Sequence, residues 1–214
     1  KRTSAHYHGK RRTRYSMMNK EMARLPRLHS KTVPFLTMRA RFVPQAVGGR
    51  RAHPPMVEKV WEQKINEKER KKAIRSALAA TAVKELVVER GHQVQNVKEL
   101  PIIVEDKLQE LKKTKDVIQF LVKIGLEKEL DRISERKVRA GKGKARSRKY
   151  KNKVGPLFVV TNDNGINKAV GNISGCDVCK VTNLSAENLA PGASVGRLTI
   201  FTKSAIDKLQ EISR

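Results

Sequence analysis

Ten lysines and arginines lie between residues 136 and 153 of this chain, with no aspartate or glutamate among them. Like charge at that density opposes every compact arrangement, so such a stretch cannot be packed into a core. A second block obeys the same constraint. Residues 1–55 hold fourteen Lys or Arg against a single acid, Glu21. Of the formal net charge of +26 on 214 residues, only +3 remains for the other 141. The chain therefore divides into a nearly neutral body and two concentrated basic segments. A pI near 10.5 goes far beyond what solubility requires, and charge on this scale is ordinarily neutralised by a polyanion.

The first block, residues 1–55, shows neither a 3.6 nor a 2.0 hydrophobic period. Pro26, Pro34, Pro44, Pro54 and Pro55 interrupt any regular element, and only Ser16–Arg24 suits a short helix. A structureless run of this length does not fit inside a compact domain, so it is expected to leave the body as a loop or arm. Tyr7, Tyr15, Phe35 and Phe42 are interleaved with the cations. A purely solvated tail has no use for them, whereas bases stack on aromatic and guanidinium planes, so the arm is expected to order on RNA. Its candidate contacts are Arg2, Lys10, Arg11, Arg12, Arg14, Arg24, Arg27, Arg39, Arg41, Arg50 and Arg51, with Tyr15, His29 and His53 suited to stacking or phosphate contact.

Residues 56–214 form the expected globular body. Asn66, with Glu69 three residues on, resembles a capping box, and Ala73, Ile74, Ala77, Leu78, Thr81 and Ala82 make one helical face that runs on towards Gly91 as a stop. Residues 99–106 read as a short buried strand. Val117, Phe120, Leu121 and Ile124 mark a helix over 113–125. A strand over 155–160, a short helix over 165–173, a strand over 176–181 and a strand–helix pair over 196–212 follow. Strands alternating with helices predict an α/β fold, a three-layer body with a mainly parallel sheet, plus the long extended basic loop or arm. The segment 136–153 runs directly into the strand beginning near Gly155, which is expected to deliver it at the edge of the sheet. Trp61 is expected to be a packing anchor.

The motif GKGKARSR, residues 141–148, invites comparison with phosphate loops, but its spacing is not that of a nucleotide-binding G-x-x-x-x-G-K-[ST], and it precedes a strand instead of opening a helix. Neutralisation of a nucleic-acid backbone fits better, with Arg139, Lys142, Lys144, Arg146, Arg148, Lys149, Lys151 and Lys153 pairing with phosphates and Tyr150 offering a ring. Cys176 and Cys179 form one C-x-x-C with no second pair. On a strand they face opposite sides, so they are expected to be core residues in a reducing compartment, with no metal. Glu62, Glu67, Glu69, Glu127, Glu129, Asp131 and Glu135 all stand among Lys or Arg and read as solvated helix faces. No nucleophile motif or acidic metal pair supports catalysis, no cofactor is implied, and no run of about 18 apolar residues could cross a membrane as a helix. A nucleotide-dependent α/β enzyme with a basic tail is the competing class; a DNA-compacting or membrane-surface protein is a third.

Five stretches, KRTSA, RFVPQAVGGRRAHPP, KERKKAIRSALAATA, RAGKGKARSRKYK and LAPGASVGRLTIFTKSAI, resemble the archaeal branch of large-ribosomal-subunit protein four, in the same order along essentially the whole chain. The resemblance implies a structural, non-enzymatic constituent of the large ribosomal subunit in the cytoplasm. Its implied partners are large-subunit ribosomal RNA, neighbouring ribosomal proteins and the nascent polypeptide, with no small-molecule substrate. It further implies that residues 1–55 are a loop threaded into RNA whose tip helps form the constriction of the peptide exit tunnel, with Lys10, Arg11, Arg12, Arg14, Arg24 and Arg27 nearest that tip. Members of the family begin with a strand and a helix before the loop. This chain starts, without a methionine, at the loop itself, so a preceding segment is expected.

Overall fold

The computed structural model describes residues 19, 21–23, 25–28 and 34–213. The backbone separates into two units, Lys1–Gln63 and Lys64–Arg214. The helix expected over Ser16–Arg24 lies largely outside the described residues.

The second unit contains, in chain order, helices α1 (Glu67–Thr81) and α2 (Lys84–Glu89), strand β1 (Ile102–Val104), helices α3 (Thr114–Lys123) and α4 (Glu127–Ser134), and the short strands β2 (Lys137–Val138) and β3 (Tyr150–Lys151). Strand β4 (Leu157–Val160), helix α5 (Ile166–Val170), strand β5 (Asp177–Lys180), helix α6 (Ala186–Leu189), strand β6 (Thr199–Thr202) and helix α7 (Lys203–Ser213) complete it. Four strands form one sheet in the order β1-β6-β4-β5, and every pairing is parallel. Strand β4 is buried along its whole length, and its side chains alternate between two apolar clusters. Phe158 and Val160 face one cluster, together with Ile200, Val117 and Leu121 of α3, Ile133 of α4 and Ile166 and Val170 of α5. Leu157 and Val159 face the other, with Phe201, Ala77 of α1, Leu189 of α6 and Ala205 of α7. A parallel sheet covered on both faces explains why LFVV is a continuous apolar run and why β6 is buried at every position, its threonines included. The result is the expected three-layer α/β body.

Cys176 and Cys179 are both buried and free, and they fall in opposite clusters, as i and i+3 on a strand require. Burial pushes the Cys176 thiol up to about 12. That disfavours the thiolate needed for metal ligation or nucleophilic attack.

Three expectations need correction. The helical run after Asn66 is broken: Ala82 bonds back to Ala79, Thr81 Oγ1 donates to the Leu78 carbonyl at 2.7 Å, and Val83 is extended before α2 begins. The break has a packing reason, because Ala77 joins one cluster whereas Val87 of α2 belongs to the other. Asn66 does occupy the N-cap position, but its side chain makes no capping hydrogen bond. Gly91 does end α2: its φ is +101°, its N–H reaches the Val88 carbonyl, and His92 N–H reaches that of Val87. That pair of bonds is the left-handed C-terminal motif glycine favours.

The second correction concerns β4, which lies between β6 and β5 and is therefore interior. The basic segment is not carried on a sheet edge; it folds as a separate hairpin. The third concerns Trp61, which is 73% exposed and anchors nothing.

Candidate nucleic-acid interface

The hairpin pairs β2 with β3 in antiparallel register, Lys137 opposite Lys151 and Val138 opposite Tyr150. Beyond the ladder, Arg139 N–H bonds to the Lys149 carbonyl at 2.8 Å, and the tip closes in a single 3-10 turn, Lys144–Arg146, followed by Ser147 in the left-handed region. Lys142, Lys144, Arg146, Arg148, Lys149, Tyr150 and Lys151 are exposed, and Arg139 and Lys153 are half-buried. Arg136 and Lys137, absent from the candidates drawn from the sequence, are exposed on the same segment. Lys153 Nζ pairs with Glu135 Oε2 at 2.7 Å, and the hydrogen bond from Lys153 holds the Glu135 carboxyl below its ordinary pKa.

A two-stranded ladder of two pairs is not stable alone, and a lysine directly opposite a lysine weakens it further. Contacts from the body hold the base. Glu129 of α4, 1% exposed, receives hydrogen bonds from Arg132 Nε at 2.8 Å and Nη2 at 2.6 Å, from His92 Nδ1 at 2.6 Å and from the Gln93 backbone N–H at 2.9 Å. The same Arg132 Nη2 donates to the Val154 carbonyl at 2.6 Å, where the chain leaves β3. Burial acts to raise the Glu129 pKa, but the bonds from Arg132, His92 and Gln93 outweigh it and hold the carboxyl below its ordinary value. For His92 burial wins over the attraction of Glu129 and lowers the imidazole pKa, so the ring is neutral and its Nδ1–H is the donor.

One residue further on, Gly155 N–H bonds to the Gly175 carbonyl at 2.8 Å, and Arg197 Nε donates to the Gly155 carbonyl at 3.0 Å. Arg197 is 1% exposed; it also reaches the Asn188 carbonyl at 2.8 Å and pairs with Asp177. Position 175 needs glycine, since its φ is +78° and a Cβ there would lie 2.2 Å from the Lys153 carbonyl.

None of this support was read from the sequence. Glu129 was expected to be a solvated charge; the other six carboxylates read that way are exposed. Its signal was present: Leu126, Glu129, Leu130 and Ile133 share one face of α4, so the carboxylate sits in the apolar stripe. Between the hairpin base and residues 193–195 lies a cavity of about 750 Å³ lined by Arg90, Arg132, Lys137, Lys151 and Lys153, with Glu89 the one carboxylate among the described lining residues.

In the unit Lys1–Gln63, the candidates Arg2, Lys10, Arg11, Arg12, Arg14, Tyr15, Arg24 and His29 lie outside the described residues. Arg51 and His53 are exposed. The remaining arginines bond to the unit's own backbone. Arg27 Nη1 donates to the Met38 carbonyl at 2.9 Å, Arg39 Nε to that of Phe35 at 3.2 Å, Arg41 Nη1 to that of Gly48 at 3.0 Å, and Arg50 Nε to that of Phe42 at 2.7 Å. A guanidinium carries five N–H donors, so one such bond uses only part of it.

The crevice outside the carboxyl ends of β1, β4 and β6 is where an open parallel sheet would bind a nucleotide. The chain's own side chains fill it. Asp106 Oδ1 accepts from Ser204 Oγ at 2.6 Å and from Ser204 N–H at 3.1 Å, Gln109 bridges to Thr202 and to the Asn162 N–H, and Thr161 meets Ser204 at 2.9 Å. The hydrogen bond from Ser204 leads in holding the Asp106 carboxyl below its ordinary pKa. These bonds engage the polar side chains at the mouth of that crevice with one another. Among the described residues, no group of three or more His, Cys, Asp or Glu side chains could hold a metal ion, and no helix is long and apolar enough to cross a membrane.

Comparison with known proteins finds relatives along most of the chain. The family model described as ribosomal protein L4/L1 family matches residues 1–212. Large ribosomal subunit protein uL4 of Methanosphaera stadtmanae is 50% identical over 175 residues, 81% of this chain and 68% of that protein. Its counterpart from Nanoarchaeum equitans is 54% identical over 80% of this chain and 63% of its own length. That from Methanopyrus kandleri is 46% identical over 89% and 73%.

Proposed function

This chain belongs to the ribosomal protein L4/L1 family, and on that premise we propose that it binds large-subunit ribosomal RNA through the hairpin 136–153 and the arm 1–55. It is a structural component of the large ribosomal subunit in the cytoplasm, not an enzyme. The observation that carries the RNA reading is the hairpin itself: ten cations, no acid, and a ladder in which Lys137 faces Lys151. A polyanion lying along it removes the cross-strand repulsion that otherwise opposes the pairing. The arm is read as threading into RNA and helping to line the nascent-peptide exit tunnel, with Arg11, Arg12, Arg14, Arg24 and Arg27 near the constriction. Its further partners are then the neighbouring ribosomal proteins and the nascent chain.

Replacing Lys142, Lys144, Arg146 and Arg148 by Gln, singly and together, tests the hairpin. Each lost phosphate contact should flatten the slope of log affinity against log salt by roughly 0.7–0.9. Unchanged slopes for ribosomal RNA fragments would remove the hairpin from the interface, and equal affinity for duplex DNA would favour a general polyanion binder. The tunnel reading is tested by cross-linking from Arg27 to a stalled nascent chain on assembled subunits; RNA adducts alone would count against it.

A further inference from the structure

Trp61 is the single tryptophan of the chain and is 73% exposed. Residues 59–66 carry no regular element, and Val60 and Ile65 beside Trp61 are exposed as well. Leaving an indole in water forgoes the stabilisation that burying so large a ring supplies, so its position asks for a partner. The ring is not bare. Lys59 Nζ stands 4.5 Å from its centroid, within cation–π distance. The ammonium covers one face of the indole, and a nucleotide, which carries a flat base and an anionic phosphate a few ångströms apart, matches the opposite face and the ammonium together. An apolar peptide groove would cover the indole but would strand the ammonium.

We infer that Lys59 and Trp61 form a single-nucleotide stacking site, at which an unstacked RNA base lies on the indole and its phosphate meets the Lys59 ammonium. The site rests on the RNA-binding reading above and adds a tryptophan stacking platform to a set of contacts that is mostly cationic. Stacking does not depend on counterion release, whereas the Lys59 contact does, so the two halves separate experimentally. Because Trp61 is exposed, replacing it leaves no cavity.

The full chain titrated with large-subunit ribosomal RNA reports the site directly through its one tryptophan, alongside filter binding at several salt concentrations. Stacking predicts quenched emission on binding. Trp61→Leu should weaken binding by roughly 5- to 150-fold by the same factor at each salt, with Trp61→Phe losing less. Lys59→Gln should flatten the salt slope by roughly 0.7–0.9. RNA bound with unquenched emission, or with full affinity by Trp61→Leu, overturns the site and leaves the RNA reading standing. A blue shift produced by a ribosomal protein and not by RNA assigns the ring to a protein partner and also overturns it. Failure of the full chain to bind RNA at all removes both.

Discussion

The hairpin 136–153 and the described part of the arm share one composition and use it in opposite ways. In the hairpin most cations point outward, and the backbone is held from behind by groups of the body, the buried Glu129, His92 and Arg197 and the half-buried Arg132. In the arm, Arg27, Arg39, Arg41 and Arg50 fold back on their own carbonyls, so the same guanidinium supplies the charge and the hydrogen bonds that shape the loop. Charge density alone therefore does not say what a basic segment does. A segment next to a core can borrow its rigidity, whereas one without a core must spend its own donors.

Removing the borrowed rigidity should produce the largest effect. Glu129→Gln leaves the half-buried Arg132 against a neutral amide and turns one accepting oxygen into a donor, which faces either His92 Nδ1–H or the Gln93 N–H. Breaking a buried pair in this way costs about 3–5 kcal/mol. Urea unfolding should show that loss, and amide exchange should accelerate at the hairpin base while Leu28, Met38 and Arg50 keep their protection. Equal acceleration in both segments would mean that the arm too depends on the body.

A smaller effect should come from exchanging arginine for lysine, which keeps charge but loses the planar fork. At Arg146 and Arg148, whose role is charge, RNA affinity should fall little. At Arg27, Arg41 and Arg50 each swap should cost about threefold to tenfold in RNA affinity, because an ordered backbone is lost along with the bond. If hairpin and arm respond alike, the division of labour is wrong.

The sequence carried the architecture well because parallel-sheet burial writes itself locally: Leu157–Val160 is a continuous apolar run, Thr199–Thr202 is β-branched and aromatic throughout, and the α3 stripe has the period of one helix face. Charge segregation was equally legible, since it needs only counting. What escaped were relations between distant residues. Glu129 meets a histidine thirty-seven positions away, and Arg197 reaches Gly155 across forty-two. The break before Val83 depends on which cluster Val87 joins, and the exposure of Trp61 depends on what does not pack against it. Local periodicity contains none of these. The one exception was available: Glu129 stands between Leu126 and Ile133 at helical spacing, and a charge in an apolar stripe asks for a partner.

The smallest predicted effect also separates the two segments, because the hairpin support contains a buried histidine whose protonation opposes folding. The folded-state pKa of His92 lies below its ordinary 6.5, since burial disfavours the imidazolium. The unfolded chain therefore binds the proton more readily, and stability present above about 6.5 is lost as pH falls from there through the lowered value. Glu129 acts in the same direction in a lower window. Its carboxyl is held below 4.5, so its contribution is complete above that value and is lost as pH falls through the folded pKa. Thermal midpoints measured between pH 8 and pH 3 should decline in two stages, and His92→Gln should remove the upper one alone. Hairpin amides should lose protection within the upper window, and arm amides should not, because the Arg27, Arg41 and Arg50 bonds to the arm's backbone end on neutral carbonyls. A flat profile from pH 7 to pH 5 would show that His92 can be protonated in place, with Glu129 stabilising the imidazolium more than burial opposes it.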